Sequence, residues 1–130
     1  MKSNYTVNSR PALLQGEGIP IFNEITPDQI QRYIPKLIEE LDTELSSFEN
    51  DVHKKIDKME KLSWDEVMIP LQQISESLRW SWSVVNHLNS VDNSPELREA
   101  HSKNLPEVIN FTNRVSQSKV IFKAISELKN

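Results

Sequence analysis

Trp80-Ser-Trp-Ser-Val-Val-Asn-His-Leu-Asn-Ser-Val-Asp-Asn-Ser-Pro-Glu-Leu-Arg-Glu-Ala-His101 is the stretch on which the fold turns. An apolar segment carrying two tryptophans runs into a polar corner, and a second helix starts at once. Asn89, Ser90, Asp92 and Asn93 have side chains that bond nearby backbone groups and favour turns. Ser94 is a good N-cap, Pro95 suits the first helical position, and Glu96 places negative charge in the positive first turn. A helix ending and a helix beginning within a few residues predict two helices packed against each other.

Upstream, Ser63-Trp64-Asp65-Glu66 has the form of a capping box. Val67, Leu71, Ile74, Leu78, Trp82 and Val85 follow as one stripe, so the helix entering the corner starts at Ser63. Ile69, Trp80 and Val84 lie on another face, which makes this helix apolar on two sides. Such a helix is central in its bundle or touches something beyond it; the bland reading is that the last helix, Val120 to Leu128, covers this face.

An earlier helix starts at Thr26, where Thr-Pro-Asp-Gln again reads as a capping box. Its stripe is Ile30, Ile34, Leu37, Leu41, Leu45 and Phe48, and it thins beyond Glu49. The mixed charges from Asp51 to Lys61 suit a solvated helix end or connector better than a nucleic-acid or lipid patch. Downstream of the corner, Leu97, Ala100, His101, Leu105, Val108, Thr112 and Val115 form the stripe of a third helix. Val120, Ile121, Ala124, Ile125 and Leu128 form a short last one. Pro35, Pro70 and Pro106 fall inside the three long helices and imply bends.

Met1 to Arg10 is polar and is expected to be loose. Pro11 to Ile25 has no helical period, but Leu13, Leu14, Ile19, Phe22 and Ile25 suggest an extended arm laid over another surface. The expected fold is therefore all-α: an arm over residues 1–25 and a helical bundle over residues 26–130. Only two glycines are present, which disfavours a β-rich or phosphate-cradling fold. The net charge of −4 argues against a nucleic-acid partner. No apolar run is long enough to span a membrane, and no signal peptide is visible. The absence of cysteine excludes a disulfide framework and fits a cytoplasmic location.

No catalytic constellation can be assembled from these residues. The three histidines, His53, His87 and His101, lack metal-binding spacing, and Glu99 is only two positions from His101. His87 reads as a hydrogen-bonded corner residue and His101 as a core-edge residue. Ser81, Ser83, Ser90 and Ser94 have no identifiable base, and Ser94 is explained as a cap. Trp64, Trp80 and Trp82 read as core filling in preference to a stacking platform. No catalytic, cofactor-binding or metal-ligating residue is expected in this chain.

Several segments resemble the N-terminal part of the thimet oligopeptidase family of zinc metallopeptidases. They are Ala12-Leu13-Leu14, Gly18 to Asp28, Trp64-Asp65 with Pro70-Leu71, Trp82 to Ala100, and Leu105-Pro106. The likeness runs from Pro11 to Asn130 in order, and the corner segment is its most specific part. It implies a nearly all-helical, two-lobed peptidase for short peptides. In that family one zinc is held by H-E-x-x-H and a downstream glutamate, and these residues lie far C-terminal to the region seen here. The chain would then be a wall-forming piece that stops before the chemistry, is inactive alone, and has the remainder of the peptidase as its partner. The alternative from another class is a free-standing helical module that binds a protein.

Overall fold

The computed structural model describes residues 11–16 and 18–129. The leader expected to be loose, Met1 to Arg10, lies outside them. Four helices follow two short 3-10 turns: α1 is Pro27–Asp57, α2 is Trp64–Val91, α3 is Pro95–Ser116 and α4 is Lys119–Lys129. No strand occurs among the described residues. The all-α expectation holds, and α1, α2 and α3 each continue across their interior prolines.

The helix starts show why these boundaries fall where they do. At α2 the capping box closes in both directions: Glu66 N donates to Ser63 Oγ (3.1 Å) and Ser63 N donates to Glu66 Oε2 (2.8 Å). Leu62 and Val67, just outside and one turn inside the cap, are both buried, which is a hydrophobic staple. At α1 Ile25 and Ile30 hold the same two positions and are likewise buried. There the box is only half made. Gln29 N donates to Thr26 Oγ1 (3.2 Å), but Gln29 Oε1 is buried without a partner. At α3 Leu97 N donates to Ser94 Oγ (3.2 Å), and Arg98 Nη1 donates to Asn93 O (2.9 Å) and Oδ1 (3.0 Å). Asn93 takes a φ of 53°, in the left-handed region that asparagine tolerates well. The corner is thus built as the sequence suggests, although α2 carries through Asn89 and Ser90 to Val91.

Beyond Glu49, α1 does not stop. Val52 is buried one turn after Phe48, and the helix runs to Asp57. It ends in a Schellman motif: Glu60 N donates to Lys55 O (2.9 Å) and Met59 N to Ile56 O (3.0 Å). Met59 occupies the left-handed position at φ 59°, where glycine is usual.

Short connections fold α1, α2 and α3 into a three-helix bundle, and α3 packs on α1 most extensively. Each pair of helices meets along a seam. The α1/α2 seam is covered twice, by α4 and by the first turn of the arm (Ala12–Leu14). Leu13 and Leu14 are buried, and Ser81 Oγ donates to Leu13 O at 2.8 Å inside the core. Trp80 Nε1 donates to Gly18 O (3.4 Å), and the Phe22 ring lies 5.0 Å from that of His87.

This arm answers the question of the second face of α2. Val84 is buried and Trp80 half-buried within the described chain, and Trp80 is tied to the N-terminal segment through Gly18 O. Ile69 alone of that face stays exposed. The described part of the arm is also not simply extended, since Ala12–Leu14 and Phe22–Glu24 form 3-10 turns.

Three sequence expectations fail in the packing. Trp64 is 63% exposed, because the staple of Leu62 and Val67 already fills the core beneath the first turn of α2. In α3 the buried set is Leu97, Ala100, Asn104, Val108 and Phe111, rotated from the expected stripe. Leu105 and Val115 are half-buried, and Thr112 is exposed. Asn104 enters the core because its Nδ2 donates to Ala100 O (2.8 Å) within the helix, which satisfies a buried donor. His87 is exposed, and among the described residues it meets the Phe22 ring and no hydrogen-bond partner.

Candidate functional site

Hydroxyl groups come first, because a nucleophile would need one beside a base. Ser81 Oγ donates to the Leu13 carbonyl, Ser83 Oγ to Trp80 O (2.8 Å), and Ser94 Oγ accepts as a cap. These serines serve the backbone, and none is activated by a histidine.

The histidines are dispersed. His53 pairs with Asp57 at 3.3 Å on the exposed end of α1. His87 sits against Phe22. His101 stacks on Trp82 with ring centroids 4.9 Å apart, and its Nε2 donates to Asn86 Oδ1 at 2.7 Å. That cluster ties α3 to α2. Among the described residues no three His, Cys, Asp or Glu side chains come together to hold a metal ion. The described side chains therefore do not fit a zinc centre.

Two charged clusters are structural in their geometry. Glu66, beside the Lys55 ammonium and bonded to the Ser63 backbone, has its carboxyl lowered from 4.5 to about 2. The same ion pair, mainly through its hydrogen bond, raises the Lys55 ammonium. It joins the last turn of α1 to the first turn of α2. On the α1/α3 seam, Arg114 Nε meets Asp42 Oδ1 at 2.9 Å, and its Nη2 donates to Ser46 Oγ (3.0 Å) and Glu49 Oε1 (3.1 Å). Ser118 donates to the same Glu49 carboxylate. A polar hollow of about 940 Å³ lies beside this cluster, lined by residues such as Asn50, His53, Asn113 and Lys119.

The α2/α3 seam is different. It holds a groove of about 460 Å³ with an apolar floor of Leu78, Trp82, Val108, Phe111 and Val115. Its rims are Ser75, Arg79, Ser83, Asn86, Thr112 and Ser116. Sequence reasoning singled out Trp82 but missed Phe111 and Arg114. No single-chain signal pairs Arg114 with carboxylates 65 or more positions away.

Comparison with known proteins matches this scaffold. Residues 34–130 match the family described as Neurolysin/Thimet oligopeptidase, N-terminal domain.

The chain belongs to the neurolysin/thimet oligopeptidase family.

Within that family it is similar to oligopeptidase A of Haemophilus influenzae, at 34% identity over 91% of this chain and 16% of that protein. It is 33% identical to the probable cytosolic oligopeptidase A of Arabidopsis thaliana, over 99% of this chain and 17% of that protein. Oligopeptidase A of Escherichia coli is 30% identical over 90% of this chain and 16% of its own length. The chain therefore spans about one-sixth of the length of these relatives. No solved structure gives a significant match. Among the described residues no helix is long and apolar enough to cross a membrane.

Proposed function

We propose that this chain is the N-terminal helical wall segment of an oligopeptidase A-like zinc metalloendopeptidase that hydrolyses short peptides. The observation that carries the reading is a pairing of two facts. The likeness to oligopeptidase A covers 91% of this chain but 16% of the relative, and the described side chains offer no set of metal donors. On this reading the zinc ligands and the water-activating base lie in the remainder of the peptidase, which is the partner of this segment. The segment shapes access for short peptides and takes no proton or electron in the reaction. The reading puts the protein in the cytoplasm, as for the probable cytosolic oligopeptidase A of Arabidopsis thaliana, although an organellar oligopeptidase A of the same plant is 32% identical. Nucleic acid and membrane have no part in it.

The test is peptide cleavage with an internally quenched substrate. The 130-residue chain, with zinc added, is expected to give no turnover, whereas the full-length gene product cleaves and loses activity to a chelator. Zinc-dependent turnover by the chain alone that persists through repurification would overturn the proposal.

A further inference from the structure

The three seams of the bundle are not finished alike. The α1/α2 seam is covered by α4 and the arm, and the α1/α3 seam is bridged by Arg114 and its carboxylates, which stand between hollows of about 940 and 450 Å³. The α2/α3 seam is open, and its floor includes the two aromatic residues Trp82 and Phe111. Three of the rim hydroxyls are already bonded within their own helices. Ser83 Oγ donates to Trp80 O (2.8 Å), Thr112 Oγ1 to Val108 O (2.9 Å) and Ser116 Oγ to Asn113 O (3.2 Å). These hydroxyls return their protons to their own helices, so covering them strands no donor. The small rim side chains also allow close approach, and a furrow between two helices has the shape that a third helix fills by ridges-into-grooves packing. Arg79, the charged residue of the lining, has no ion pair among the described residues.

The geometry points to the α2/α3 groove as the seat of an apolar helix from the remainder of the peptidase, with a carboxylate of that helix facing Arg79. The occupant follows from length: the relatives are about six times longer than this chain, so most of such a protein lies outside it and tethered to it. This inference rests on the proposed reading of the chain as one segment of a longer enzyme.

Cysteine footprinting tests it, read site by site so that any cysteine of the remainder is told apart; these 130 residues contribute none. Ser83→Cys and Thr112→Cys are introduced singly into the full-length protein. Alkylation of each site is timed by peptide mass spectrometry, with the same protein unfolded in urea as reference. Both side chains are exposed in this structure, so an uncovered groove gives little protection. A covered groove is expected to slow both sites at least tenfold, and protection below tenfold overturns the inference. Protection that rises with the concentration of the isolated chain assigns the groove to a second copy and overturns it. So does protection that appears only with a non-cleavable short peptide. Zinc-dependent cleavage by the same full-length protein is measured in parallel. Cleavage with an open groove sinks this inference alone, whereas absence of cleavage sinks the proposed function whatever the footprint shows.

Discussion

Replacing Ser81 with alanine probes the joint between the arm and the bundle. The Ser81 hydroxyl is 1% exposed and reaches the carbonyl of Leu13, itself 0% exposed, at 2.8 Å. The described backbone bonds of that turn go to the carbonyls of Pro11 and Ala12, which leaves the Leu13 carbonyl to Ser81. Ser81→Ala removes one bond and strands a buried acceptor, so the expected loss is about 1–2 kcal/mol. At ~4 °C per kcal/mol for a chain of this size, Tm falls by roughly 4–8 °C. Urea unfolding followed by far-UV circular dichroism measures the loss, and amide exchange at Leu14 and Gln15 should quicken. In a chain lacking residues 1–25 the same substitution should cost less than about 0.3 kcal/mol, because the acceptor is gone. As a companion, Leu13→Ala is expected to cost about 2–5 kcal/mol by emptying a buried site. A Ser81→Ala protein as stable as the parent would refute the reasoning, since it would mean that the Leu13 carbonyl is satisfied without Ser81.

Met59→Gly should stabilise the chain by up to about 1 kcal/mol, since glycine relieves the left-handed backbone and the Met59 side chain is 92% exposed. Met59→Ala keeps a Cβ and should gain nothing; equal gains in Tm for both would rule out this explanation. Arg114→Met should cost about 1–2 kcal/mol in urea unfolding by unpairing Glu49 and Asp42, and an unchanged midpoint would show the seam to be held by apolar packing alone. Glu66 has a folded-state pKa below its unfolded value, so its contribution is complete above about 4.5 and is lost as pH falls towards about 2. The stability gap between the parent and Glu66→Gln should therefore narrow across that window, and a gap that is flat from pH 6 to pH 2 would contradict the assignment.

Caps, apolar stripes and the corner were legible because each is written in adjacent residues. Ser94, Pro95 and Glu96 announce α3, and Ser63 with Glu66 announces α2, through interactions no longer than one helical turn. The stripe of α1 was readable for the same reason, up to the point where charged neighbours hide Val52. What escaped was polar burial. Asn104 and Ser81 look like surface residues until a helix carbonyl or an arm carbonyl is found to satisfy them, and an apolar pattern has no means of admitting them. Skipping Asn104 shifted the α3 stripe and moved Phe111 out of view. The groove was illegible for a related reason, since its floor joins residues of two helices whose relative rotation is set only by packing. Exposure of Trp64 depended on Leu62, one residue before the cap, taking the core position first.

The joint between Leu13 and Ser81 links positions 68 residues apart, and the earlier of them is made first. At typical rates of synthesis the arm would wait roughly 3–14 s for its landing place to be translated. During that interval Leu13 and Leu14, both buried in the finished bundle, are bare to water. The arm thus leaves the ribosome before α2 yet cannot settle until α2 exists, so its docking on the bundle is a late step of assembly.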